Sequence, residues 1–138
     1  MQWSKDRNAG FSTAPTEKLY LPIDPSESRP DVASEENDPA SLLNFTRALL
    51  KLRREHPALA NAADFQPLYA QKNGYPFVYL RIAGSERIAV SVNPAARPCA
   101  VALQEVNKAK PLLVQDAVFR EGSFEMGPVS FGIFQVEN

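Results

Sequence analysis

Phe77-Val78-Tyr79-Leu80, the dipeptide Gly84-Ser85 and then Ile88-Ala89-Val90-Ser91-Val92 form the stretch that decides the fold. Both apolar runs are rich in β-branched and aromatic residues and are short, which marks strands rather than helices. A glycine-led turn between them makes a hairpin. Downstream the same pattern repeats in Cys99-Ala100-Val101-Ala102-Leu103, in Pro111-Leu112-Leu113-Val114 and in Phe131-Gly132-Ile133-Phe134-Gln135-Val136. Asn73-Gly74, Asn93-Pro94 and Glu121-Gly122 punctuate these runs. Short strands spaced by turns predict an antiparallel β-sandwich over residues 61–138.

Upstream the period changes. Leu42, Leu43, Thr46, Leu49, Leu50 and Arg53 follow the helical repeat, and Phe45 and Leu52 widen the apolar face. The spacing predicts a helix from about Pro39 to Glu55, with Asp38 as its N-cap and Pro39 at its first position. Arg47, Lys51, Arg53 and Arg54 place positive charge in the later turns, where the helix dipole favours it, and Pro57 stops the helix. From residue 1 to about Asn37, Pro15, Pro22, Pro25 and Pro30 exclude long helices and predict irregular structure. The organisation expected is therefore mainly β with one N-terminal helix: an irregular loop plus helix over residues 1–60, then the β-domain over 61–138.

Composition narrows the function classes. The 138 residues carry a net charge of −1, so there is no basic face for nucleic acid. No apolar run approaches bilayer length, and the start has no charged-then-apolar leader, which argues against a membrane. The single cysteine, Cys99, has no partner for an internal disulfide and fits a reducing, cytoplasmic compartment. One His and one Cys make no soft-ligand cluster, so neither a metal nor another cofactor is expected.

Six segments carry a further signal by their order. They are Met1-Gln2-Trp3, Asn8-Ala9-Gly10-Phe11-Ser12, Leu19-Tyr20-Leu21-Pro22, the helix with its sequel His56-Pro57-Ala58-Leu59, Tyr75-Pro76-Phe77-Val78-Tyr79-Leu80-Arg81, and Val90-Ser91-Val92-Asn93-Pro94. In that order the chain resembles the C-terminal part of the α-amylase superfamily, glycoside hydrolase family 13, in the branch of α-glucosidases, oligo-1,6-glucosidases and trehalose synthases. The resemblance implies that residues 1–60 correspond to the last loop and helix of a (β/α)8 barrel. It implies that residues 61–138 correspond to the family's C-terminal β-domain. The three catalytic carboxylates of that family precede the Met-Gln-Trp motif, so the resemblance implies a chain without them, inactive by itself, whose partner is the catalytic barrel.

Candidate sites follow from both lines. Asp24, Asp31, Glu35, Glu36 and Asp38 cluster before the helix. Paired carboxylates are what glycoside cleavage needs, but a charge run is ordinarily a solvated loop with one helix cap. His56 has no acidic neighbour in the sequence to orient it and reads as a helix-terminal residue. Cys99 lies in a strand without a local base and reads as a structural thiol. Gln2, Trp3 and Phe11 are the substrate-binding candidates implied by the resemblance, effective only beside a barrel. An aromatic face stacks on a sugar ring, and a Gln amide bonds hydroxyls as donor and acceptor; packing within the loop is the plain alternative. Tyr69, Tyr75 and Tyr79 are candidates for stacking on sugars, against the alternative that Phe77 and Tyr79 share one strand face as core.

Three functions are thus open. The chain is the non-catalytic C-terminal part of an α-glucosidase-like enzyme acting on maltose or short oligosaccharides. Or it is a free-standing module binding α-glucan oligosaccharides. Or it is an interaction domain that forms a homodimer through its apolar helix face.

Overall fold

The computed structural model describes residues 2–137 and contains two compact units, Met1–Lys51 and Leu52–Asn138. Met1, the first residue of the Met-Gln-Trp motif, lies outside the described residues.

The first unit is mostly irregular, as the prolines require, but side-chain bonds order it. Asn8, Ala9 and Gly10 all take the left-handed conformation (φ 55°, 53° and 74°), which costs a non-glycine residue about 1–2 kcal/mol. What holds them there is visible. The Ala9 carbonyl accepts from the backbone N–H of both Trp3 and Ser4 (3.0 and 3.2 Å). The Asn8 amide donates to the carbonyls of Ser12 and Ala14 (2.8 Å each) and accepts from the Thr16 hydroxyl (3.1 Å). Gln2 bridges Asp31 in parallel fashion, with the Val32 N–H donating to the Gln2 carbonyl at 2.9 Å.

A short helix, α1 (Val32–Glu36), stands where irregular chain was predicted. Asp31 caps it, accepting from the backbone N–H (2.9 Å) and the hydroxyl (2.8 Å) of Ser34. The main helix, α2, is Leu42–Glu55 and begins later than predicted. Ser41, not Asp38, is its cap: the Ser41 hydroxyl accepts from the Asn44 N–H (3.2 Å) and its carbonyl from the Phe45 N–H (2.9 Å). Asp38 instead forms a turn with the Ala40 N–H, so Pro39 is not helical.

The second unit carries a six-stranded antiparallel sheet: β1 (Asp64–Tyr69), β2 (Phe77–Ala83), β3 (Glu86–Asn93), β4 (Cys99–Ala102), β5 (Lys108–Arg120) and β6 (Ser123–Glu137). β1, β2 and β3 pair in sequence, and β3 pairs with the second half of β6. β4 pairs with the first half of β6, while β5 runs along its whole length. β5 and β6 meet at Glu121-Gly122, both with positive φ, the tight turn that right-twisted hairpins favour. Pro67 and Pro111 sit on β1 and β5, which pair on one side only and therefore tolerate a missing N–H.

The expected sandwich is one sheet curled on itself. Gly127–Ser130 of β6 oppose only Asp116 between the pairs Gln115↔Phe131 and Ala117↔Met126. Asp116 and Val129 both have positive φ there, so the two strands kink together. A straight strand would hold Phe124 and Phe134 roughly 33 Å apart. Their ring centroids lie 5.5 Å apart. The kink is what brings both halves of β6 onto one core, made of Val78, Leu80, Ala89, Leu103, Val106, Phe124, Phe134 and Val136. Asn93, fully buried at the end of β3, ties the loop that follows it to β6, donating to the Arg97 and Gly127 carbonyls (2.9 and 2.7 Å) and accepting from the Ala95 N–H (3.1 Å).

Candidate functional site

Among the described residues the acidic cluster before α2 is spent on backbone and on one ion pair. Asp24 accepts from the Ser26 N–H, Asp38 from Ala40, and Glu35 from the Leu43 N–H at 3.0 Å. Glu36 pairs with Arg47 at 2.9 Å, half exposed. Asp31 departs from the expected solvated loop: it is 1% exposed. The Ser34 N–H and hydroxyl hold its carboxyl below the usual carboxylate range against the cost of burial, helped by the charges of Lys5 and Arg29.

His56 corrects another expectation. Its Nδ1 lies 2.7 Å from Glu86 Oε1, and Glu86 Oε2 accepts the Ala58 N–H at 2.7 Å. Burial acts to raise the Glu86 pKa, but the Ala58 N–H, the His56 hydrogen bond and its charge together leave it below the usual value. The sequence hid this pair because Glu86 opens β3, far along the chain from the helix end. Cys99 in β4 is half-buried, and burial pushes its thiol pKa up, as befits a structural thiol rather than a nucleophile.

Gln2 and Phe11 line one cleft of about 380 Å³ in the first unit, together with Leu19, Tyr20, Leu21, Pro22 and Ile23. Trp3 is half exposed and does not line it. Tyr20 is 96% exposed. Gln2 Oε1 is buried with no hydrogen-bond partner among the described residues. A buried lone acceptor beside apolar side chains suits a hydroxyl donor, and Leu19–Ile23 are lining residues that sequence reading met only as a motif.

The three tyrosines do not share a platform. Tyr69 packs against the main core. Tyr75 is 43% exposed, before a cis peptide bond to Pro76. Phe77 and Tyr79 do share a face, but it is opposite Val78 and Leu80, which fill the core. There Tyr79 stacks with Phe65 and Phe77 (centroids 4.9 and 5.3 Å), and burial raises its pKa although the Arg81 charge opposes this. Phe65 and Tyr79 line a second cleft of about 340 Å³ with Arg53, Leu59, Asn61 and Arg81. Among the described residues no group of His, Cys, Asp and Glu is placed to hold a metal ion, and no helix is long and apolar enough to cross a membrane.

Comparison with known proteins agrees with this architecture. The family model for the α-amylase catalytic domain matches residues 1–62. The trehalose synthase/amylase TreS of Mycobacterium tuberculosis (strain CDC 1551 / Oshkosh) is 45% identical over 93 residues, covering 62% of this chain and 15% of that enzyme. The oligo-1,6-glucosidase of Parageobacillus thermoglucosidasius is 28% identical over 118 residues, covering 84% of this chain and 20% of that enzyme. The crystal structure of trehalulose synthase MutB from Pseudomonas mesoacidophila MX-45 superposes with a TM-score of 0.83 and 29% identity over 99% of this chain and 24% of that one. The chain thus spans between about a sixth and a quarter of the length of these relatives. The chain is therefore similar to one part of α-amylase-family (glycoside hydrolase family 13) enzymes, and its residues 1–62 match that family's model.

Proposed function

We propose that the chain is a non-catalytic part of an α-amylase-family enzyme, which completes and stabilises a catalytic (β/α)8 barrel acting on α-glucosidic bonds of maltose or short oligosaccharides. On this reading residues 1–60 belong with the barrel and residues 61–138 form the appended β-domain. The observation that carries it is the uncovered apolar surface. α2 has an apolar stripe yet buries none of its side chains, and Leu42 and Leu50 are more than half exposed. Trp3, Phe11, Tyr20 and Leu21 are exposed as well. Apolar helix residues left exposed in this way support a docking surface for a partner. The use of Asp24, Asp31, Glu35, Glu36 and Asp38 as cap, turn or ion-pair groups supports the absence of acid–base chemistry.

The test is calorimetric titration of the chain with the catalytic barrel of the trehalose synthase/amylase relative, lacking its own matching segment. Saturable one-to-one binding that Leu50→Glu weakens at least tenfold is expected. No heat, or binding indifferent to Leu50→Glu, contradicts the proposal. Exposed Tyr75 favours a second reading, an α-glucan-binding module, which requires saturable maltotriose binding lost in Tyr75→Ala. Self-association that Leu50→Glu abolishes instead favours the homodimer.

A further inference from the structure

The second cleft has a chemistry that support of a barrel does not require. Arg53 reaches it from the last turn of α2 and Arg81 from β2, and both are tethered to one short turn. Arg81 donates through Nη2 to the Ala60 carbonyl (2.6 Å) and through Nε to that of Ala58 (3.3 Å). Arg53 Nη2 donates to Asn61 Oδ1, one residue further on. Every one of these acceptors is neutral. The lining contains no carboxylate: it is Arg53, Leu59, Asn61, Phe65, Tyr79 and Arg81. Two guanidinium groups therefore line one concave space whose lining, among the described residues, holds no carboxylate. Each guanidinium has five N–H donors, most of them not used by these bonds, in the planar fork that fits phosphate oxygens.

The sheet face beside Arg81 is aromatic. Phe65 stands directly across the β1–β2 ladder from Arg81, and Tyr79 precedes Arg81 on the same face. The Phe65 and Tyr79 rings are tilted by 37° at 4.9 Å and offer a one-sided apolar surface. The Asn61 amide N–H2, with its oxygen taken by Arg53, remains a donor for hydroxyls. About 340 Å³ is within the range of small-ligand sites.

We propose that this cleft binds a phosphorylated sugar. The phosphate sits between Arg53 and Arg81, and the pyranose C–H face lies on Phe65 and Tyr79, with hydroxyls toward Asn61. A neutral sugar lacks the anion that the two arginines require. Free phosphate lacks the ring. A nucleotide base prefers aromatic faces on both sides, which the cleft does not have. The site is independent of the barrel-supporting role.

The experiment is an amide-resolved NMR titration of the full chain at fixed low ionic strength with glucose 6-phosphate, glucose, inorganic phosphate and AMP. Glucose 6-phosphate is expected to produce saturable shifts confined to Ala60–Phe65 and Tyr79–Arg81, with phosphate at least tenfold weaker and glucose without effect. Arg53→Gln and Phe65→Leu alter exposed side chains and each should weaken glucose 6-phosphate at least tenfold while the sheet amides keep their dispersion. No saturable shift with glucose 6-phosphate overturns the assignment. So does equal affinity for glucose or phosphate, tighter binding of AMP, or unchanged affinity in both variants.

Discussion

Asn93 shows how much a single side chain fixes. It is fully buried and makes three hydrogen bonds, two as donor to the carbonyls of Arg97 in the β3–β4 connection and of Gly127 in β6. Removing it takes one donor each from the Arg97 and Gly127 carbonyls and the acceptor from the Ala95 N–H, and it empties a buried site, so Asn93→Ala should cost about 1–3 kcal/mol, read from the urea midpoint. Asn93→Asp keeps only the acceptor role and should be comparably destabilised at neutral pH. Asn93-Pro94 announces a turn in the sequence; that the Asn amide also clamps Gly127 does not show, because the partner lies in another strand. Glu86 carries a pH dependence whose sign follows from its partners. Its pKa in the fold is below the ordinary value, so it stabilises the protein above that value and the contribution disappears as pH falls through the folded pKa. Glu86→Gln should therefore lower the urea midpoint at neutral pH, and the gap to the parent chain should close as the pH drops below about 4. A gap that is constant with pH contradicts the assignment.

At the scale of elements, α2 and the strands were legible, whereas their ends and their bending were not. The α2 pattern gave its length, but Asp38 and Ser41 are both good caps, and only Ser41 reaches both the Asn44 N–H and the Glu35 carbonyl. Ser41→Ala should cost about 1 kcal/mol and Asp38→Ala less, compared by thermal melting. α1 was hidden because it is one turn long, though Asp31 and Ser34 at capping spacing are its trace. β1 was hidden by Pro67, which an edge strand tolerates. The β6 kink is invisible to periodicity because it follows from packing of Phe124 on Phe134. Two glycines flank it with different consequences. A Cβ on Gly127 meets the Asp116 carboxylate at 1.6 Å, which is flexible and can turn away. A Cβ on Gly132 meets the ring of buried Phe134 at 2.2 Å, which the core confines. Gly132→Ala should thus destabilise by about 2–3 kcal/mol and Gly127→Ala by under about 1 kcal/mol.

At the scale of the molecule, the resemblance to α-amylase-family enzymes rests on short motifs whose residues have separate physical duties. Asn8-Ala9-Gly10 holds a left-handed turn. Leu19–Ile23 lines a cleft with Gln2 and Phe11. The aromatic run of β2 splits between a buried core face and an arginine-bearing outer face. The substrate-binding candidates Gln2, Trp3 and Phe11 were legible only as motif members, since the surface they would serve is not built by these residues alone. The Arg53–Arg81 cleft was not legible because its residues come from a helix end, a turn and two strands. The whole arrangement has an uncovered apolar helix face and acidic groups committed to caps, turns and an ion pair. On the function proposed above, such a chain supports catalysis without performing it. The most direct test is nitrophenol release from an aryl α-glucoside by the purified chain alone. No product above the blank is expected at any protein concentration. Release that scales with the chain and survives repurification contradicts it.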